Sequence, residues 1–150
     1  MPIDQSFVGR VYPPTAPYQV GREKIREFAA AAGDANPASH DPEAARRLGY
    51  PDLVAPPTFA IVVTMSAATQ IVTDPTLGLD YSRVVHREQR FVYSRPITAG
   101  DELVVVVSVE AIASAAGNDV LTTRGEVSTT AGEHVVTAFS TLVARGTAAG

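Results

Sequence analysis

Between Pro57 and about Val72 the chain sets apolar residues on every side of a helix. Phe59, Ile61, Val62, Val63, Met65, Ala67, Ala68, Ile71 and Val72 point all round it, and the segment carries no charge. A helix without a wet face has to be covered on all sides. Downstream the residues read as strand: about Arg83–Tyr93, Glu102–Ala113, Val120–Thr130 and His134–Ala144, with Asn118-Asp119 and Ala131-Gly132 marking turns. Alternation is clear in Val135, Thr137, Phe139, Thr141 and Val143, whereas Val104 to Val107 is apolar on both faces, as a strand covered on both sides should be. One buried helix facing several long strands predicts an α+β fold, with a curved antiparallel sheet wrapped around the helix. Such a sheet leaves edge strands open and predicts pairing with a second subunit.

Upstream of that helix the reading is shorter. Tyr12–Pro17 is too proline-rich for a helix and reads as an extended lead-in. Gly21–Ala32 reads as a helix with Ile25, Phe28, Ala29 and Ala32 on one face, stopped by Gly33. Pro42–Leu48 reads as a short helix capped by Asp41. With 150 residues, 45% of them apolar, the chain is expected to be one domain over 1–150, ordered from about residue 7 to 145.

Composition removes several functions. There is no cysteine, which excludes disulfides, thiolate metal sites and a cysteine nucleophile and fits a reducing cytosol. A net charge of −4 with 12 scattered Lys and Arg residues gives no nucleic-acid footprint. No apolar run is long enough to span a membrane, and Met1–Gln5 lacks the regions of a signal peptide. His40, His86 and His134 are dispersed, without the carboxylate spacing of a metal site, and no cofactor is implied. His86 and His134 read as surface residues on strands.

The segment Asp34-Ala35-Asn36-Pro37-Ala38-Ser39-His40-Asp41-Pro42 carries the chemistry. An aspartate, an Asn-Pro turn and a histidine on one tight loop make an acid–base pair conceivable, Asp34 orienting His40. The plainer reading has Asp34 capping the turn through backbone N–H groups, Asn36 holding the loop and His40 on its surface. A Ser39–His40–Asp34 triad is disfavoured, because adjacent side chains on a turn diverge. Arg83 and Arg87 share a strand face, either as a rim for an acidic carrier or as an ordinary solvated face.

With the loop, the apolar helix and the strands in place, the chain resembles the MaoC-like hydratase/dehydratase group of hot-dog-fold proteins. Their loop reads Asp-x-Asn-Pro-(Leu/Ile)-His-x-Asp-Pro-x-x-Ala, and here Asp34, Asn36, Pro37, Asp41, Pro42 and Ala45 match without a gap. Arg95-Pro96-Ile97-Thr98-Ala99-Gly100-Asp101 is similar to the group's Arg-Pro-(Ile/Val)-x-x-Gly-Asp turn. The similarity runs over most of residues 7 to 145. It implies binding of acyl thioesters, acyl-CoA or acyl-ACP, and addition or removal of water across their 2,3 bond.

Two departures fall on the chemistry. Ser39 stands where the family places its catalytic histidine, and His40 takes the variable position after it. Pro56-Pro57 replaces the family's His-Gly, whose glycine offers a backbone N–H to the thioester carbonyl; proline has none. Arg22–Phe28 and Val54–Phe59 resemble the FAS1-like dehydratases of actinobacteria, a group that includes the A-type subunit of a heterodimeric (3R)-hydroxyacyl-ACP dehydratase. That resemblance implies a degenerate subunit that shapes the acyl channel beside a catalytic MaoC-like partner. It places Asn36, Ser39, Pro57, Thr58 and Phe59 at the acyl site, with Asp34 and His40 as a vestigial or shifted catalytic pair. Two alternatives stay open: a self-sufficient homodimeric enoyl-thioester hydratase using Asp34 and His40, and a non-catalytic acyl-binding dimer.

Overall fold

The computed structural model describes residues 2–148, so Met1, Ala149 and Gly150 of the expected 1–150 domain lie outside the described residues. Three α-helices, α1 (Arg22–Ala31), α2 (Pro42–Arg47) and α3 (Ile61–Val72), accompany five strands. The strands are β1 (Tyr18–Gln19), β2 (Val84–Tyr93), β3 (Glu102–Ala115), β4 (Asn118–Thr129) and β5 (His134–Ala144). They form one antiparallel sheet in the order β1-β3-β4-β5-β2, which among the described residues leaves β2 with one unpaired edge. The sheet curls around α3, which packs mainly on β3 and β4. None of these helices is long and apolar enough to cross a membrane.

Patterning explains the layers. Val105, Val107, Leu121 and Val127 turn inward beneath α3, and Val63, Ala67 and Ile71 meet them from the helix. Phe59 closes the N-terminal end of this core, its ring set edge-to-face on Phe28 of α1 at 5.5 Å between centroids. Truncating so large a buried ring costs about 3–5 kcal/mol.

Four expectations need correction or extension. The helix expected from Pro57 begins only at Ile61. Pro57–Ala60 instead forms tight turns, with Phe59 N–H donating to the Pro56 carbonyl (2.9 Å) and Ile61 N–H to that of Thr58 (3.1 Å). A residue before proline is driven out of the helical region, which keeps Ala55 and Pro56 out of the helix, and the i→i−3 turns over Pro57–Ala60 precede the regular ladder. Nor is α3 covered on every side by its own chain. Val63, Thr64, Ala67 and Ile71 are buried, but Met65 on the far face is 60% exposed.

The β3–β4 turn is not Asn118-Asp119 but Ala116-Gly117, at φ +52° and +79°, the paired positive φ of a two-residue hairpin. Asp119 lies within β4, buried, and its carboxylate accepts from Ile3 N–H (3.3 Å) and the Thr147 hydroxyl. Finally, the lead-in runs extended along β3, with Tyr12 N–H donating to the Val107 carbonyl (2.9 Å) and Thr15 N–H to that of Val105 (3.0 Å). Only Tyr18–Gln19 becomes regular strand there, because Pro13, Pro14 and Pro17 have no N–H to give.

Candidate functional site

The loop after α1 is built from short-range capping. Asp34 accepts the Asn36 N–H (2.9 Å) and Asn36 accepts the Ala38 N–H (3.1 Å), opening a 3-10 turn over Pro37–Ser39. Asp41 then caps α2 through Glu43 N–H (3.0 Å). Each is a side chain bonding backbone two residues on, the local chemistry that Asp and Asn favour.

This folding turns Ser39 inward. It is 3% exposed, and its hydroxyl donates to the Val54 carbonyl at 2.6 Å. Val54 also pairs with Thr98, which joins the loop to the Arg95–Asp101 turn. That turn is held by Arg95. Its guanidinium makes two bonds to Asp101 (2.9 and 3.0 Å), two to Glu133 (3.0 and 2.9 Å) and one to the Pro96 carbonyl (2.9 Å). All five N–H donors of an arginine are thereby engaged. The hydrogen bond to Asp101 leads in holding it protonated well above the ordinary range, against partial burial. Gly100 sits at φ +96°, which the turn requires.

Between these elements lies a cavity of about 420 Å³, walled by Asp34, Asn36, Ser39, Pro57, Tyr93 and Ser94, with Val54, Ala55, Pro56, Arg95 and Pro96 completing it. The Tyr93 hydroxyl donates to the Pro57 carbonyl. Burial pushes this phenol up to about 12, so it stays neutral.

The expected site residues divide accordingly. Asp34, Asn36, Ser39 and Pro57 line the one cavity. Thr58 faces a neighbouring groove of about 220 Å³ between α3 and β2, with Ile61, Met65, His86, Gln89 and Phe91. Phe59 lines neither; it is a fully buried core residue. The Asp34–His40 couple takes a different form from the one expected. His40 Nε2 donates to the backbone carbonyl of Asp34 (2.9 Å), not to its carboxylate, and His40 does not line the cavity. The ring is turned back over the loop, while Arg26 holds its carbonyl (3.0 Å). Arg83 and Arg87 do not line the cavity either.

Sequence reasoning missed the β2–β5 wall. Ser94 Oγ lies 2.5 Å from Nδ1 of His134, so His134 is tied into a network and is not simply a surface residue. His134 Nε2 faces Thr137 Oγ1 (2.8 Å) and Glu126 (3.1 Å), and Arg124 Nε donates to Glu126 at 2.6 Å. Burial works to raise the Glu126 carboxyl, but hydrogen bonds from Thr137 and Arg124 outweigh it and hold the group below its usual range. No local pattern marks these residues, because Ser94 and His134 meet only through strand register.

The family model for the FAS1-like dehydratase domain region matches residues 6–138. The chain belongs to the FAS1-like dehydratase family. Among its relatives, UPF0336 protein SCO4636 of Streptomyces coelicolor is 66% identical over 145 residues, 97% of either chain. A solved MaoC-like dehydratase superposes with a TM-score of 0.87 at 38% identity, over 93% of this chain but only 42% of that one. A C-terminally truncated HadBC (3R-hydroxyacyl-ACP dehydratase) complex from Mycobacterium tuberculosis gives 0.82 at 33% identity, over 91% and 96%. The curled sheet around α3 is thus the hot-dog fold of the MaoC-like dehydratases. Ser39 and Pro57 are two of the positions at which this sequence departs from the MaoC-like pattern it resembles, and both line the cavity.

Proposed function

We propose that this chain is the acyl-thioester-binding subunit of a (3R)-hydroxyacyl-CoA or -ACP dehydratase of fatty-acid-type synthesis. It works as a single domain, about residues 7–145, beside a catalytic MaoC-like partner. The observation that carries this reading is Ser39. The residue at the base's position is buried against the cavity and commits its hydroxyl to Val54. A serine so held cannot take a proton from C2 of the substrate. Pro57 removes the second requirement, an N–H for the enolate-like oxygen, a donor whose loss typically costs about 3–4 kcal/mol. The cavity itself remains, with mostly apolar walls suited to an acyl chain.

The groove between α3 and β2 supports a place for the partner. This strand edge is unpaired, and Met65, Tyr81, Val85 and Val92 are exposed on or beside it. The HadBC structure is itself a complex, and a partner seated here would cover the apolar groove beside α3.

Hydration of crotonyl-CoA and of a longer trans-2-enoyl-CoA tests the reading. The purified chain alone is expected to be inactive, and co-expression with a MaoC-like partner to give turnover that survives His40→Ala. Robust turnover by the chain alone, lost in Asp34→Asn or His40→Ala, would instead establish the self-sufficient hydratase. No turnover with any such partner would leave a plain acyl-binding dimer.

A further inference from the structure

The line of polar side chains that ends at the cavity wall has the connectivity of a nucleophilic relay. Strand register assembles it. Glu126 and Thr137 are cross-strand partners on β4 and β5, His134 opens β5, and Ser94 N–H reaches the Val135 carbonyl (2.8 Å) just beyond β2. The Thr137 hydroxyl donates to Glu126 (2.8 Å), so both groups near His134 Nε2 present acceptor oxygens to it. The ring proton therefore sits on Nε2. Nδ1 then turns its lone pair toward Ser94, whose hydroxyl donates across 2.5 Å. Arg124 fixes the far oxygen of Glu126 (2.6 Å) and sets the carboxylate. Relative to the familiar serine hydrolases the ring is turned end for end. The chemistry needs only a lone pair on the hydroxyl and an acceptor for the other N–H.

We propose that Ser94 is a nucleophile toward activated acyl groups, thioesters above all, with His134 as its base and Glu126 as a positioning residue. The cavity selects the class. Its walls are mostly apolar, and Arg95, the cation beside Ser94, has every guanidinium N–H engaged, so the site suits an uncharged acyl carbonyl better than an anionic head group. Ser94 Oγ attacks the carbonyl carbon as its proton passes to His134 Nδ1. The carbon–sulfur bond breaks, and the thiolate leaves with that proton. Water then hydrolyses the acyl-serine, releasing a carboxylic acid and restoring the hydroxyl. The N–H of the residue after the nucleophile is a usual oxyanion donor. Here that N–H, of Arg95, makes only a 3.5 Å contact with the Val135 carbonyl and is the least committed donor nearby. A single donor makes turnover slow, so covalent capture is the clearer readout.

This inference is independent of the dehydratase reading, since it needs neither a partner nor Asp34 and Ser39. The test exposes the full chain to a fluorophosphonate probe and, separately, to p-nitrophenyl butyrate, and locates adducts by mass spectrometry. One adduct per chain is expected at Ser94, the butyryl form being released by hydroxylamine. Ser94→Ala should abolish it, and Ser114→Ala, at another exposed serine, should not change it. Loss of a general base predicts labelling about a hundredfold slower in His134→Gln. Glu126→Gln should slow it less and be restored by Glu126→Asp, which a merely structural role would not do. Thermal melting checks each variant's fold, and if His134→Gln melts early, His134→Asn reads the same step. No adduct at Ser94, equal labelling of other serines, or undiminished labelling in a folded His134 variant overturns the proposal.

Discussion

At the scale of single residues, the proposed reading rests on two losses, at Ser39 and at Pro57, that would reinforce each other. Returning a histidine to position 39 supplies a base but leaves the thioester oxygen without a donor; Pro57→Gly supplies the donor but no base. Groups that act on one transition state are strongly non-additive. Ser39→His and Pro57→Gly are each expected to be inactive in enoyl-CoA hydration by the isolated chain, while the double variant gains measurable turnover. Activity in Ser39→His alone would show that Pro57 is not the second block. Ser39→Ala, which strands the Val54 carbonyl, should cost about 1–2 kcal/mol in denaturant melts. Much of the loop was legible in the sequence, because Asp34, Asn36 and Asp41 act on backbone two residues away. The aim of His40 was not, since a one-residue shift on a turn sends its ring to the Asp34 carbonyl. Ser94 and His134 lie 40 residues apart, and only the β2–β5 register brings them together.

At the scale of elements, β-strand alternation and the charge-free helix fixed the class of fold, and the bounds of β5 coincide with those expected. What escaped was set by backbone detail. The helix start moved because Pro57–Ala60 closes i→i−3 turns in place of the helical ladder, and the β3–β4 turn moved because Asn118 and Asp119 pair as strand while Ala116 takes a left-handed conformation. The sequence signal pointed to Asn-Asp as the turn, yet register and the buried Asp119 carboxylate placed it two residues earlier. An alanine at φ +52° is strained, by about 1 kcal/mol or more. Ala116→Asn puts the preferred Asn-Gly pair into this turn and should stabilise the chain by about 0.5–1 kcal/mol, raising the melting temperature by a few degrees. Ala116→Val, β-branched at the same φ, should lower it. Equal melting of the two variants would show that the turn carries no strain.

At the scale of the whole molecule, pH and assembly read the same surface in two ways. Tyr12 and Tyr93 are each pushed up to about 12, by burial first and for Tyr12 also by the Asp74 it donates to. An unfolded phenol titrates near 10, so between about 10 and 12 the folded state keeps protons that the unfolded state has lost, and stability falls as pH rises. Asp74, held by Thr76 and Tyr12, and Asp52, held chiefly by Arg22, lie below their ordinary value. The unfolded state therefore binds protons first in acid, and stability falls as pH drops below 3.8, that ordinary value. Melting temperature should fall at both extremes, with Glu126, held below its ordinary 4.5, adding to the acid side, and Tyr93→Phe should flatten the alkaline fall.

Assembly follows from what the chain leaves uncovered. Gln89 Nε2 is buried at the groove without an acceptor, beside exposed Met65 and the free edge of β2. A buried donor without a partner costs about 1–3 kcal/mol, and an open, partly apolar strand edge invites pairing. A second hot-dog chain answers both needs at once, since its backbone carbonyls pair the edge and offer an acceptor at the groove where Gln89 lies, while its helix face covers Met65. A stable contact of this kind buries on the order of 800 Å² per chain. The isolated protein is therefore expected to sediment as a dimer. Met65→Lys should give a monomer with an unchanged circular dichroism spectrum and should fail to co-purify with a MaoC-like partner. If Met65→Lys pairs as tightly as the unaltered chain, the interface lies elsewhere. In that case the groove beside α3 stays open in the assembly and contributes nothing to the acyl site.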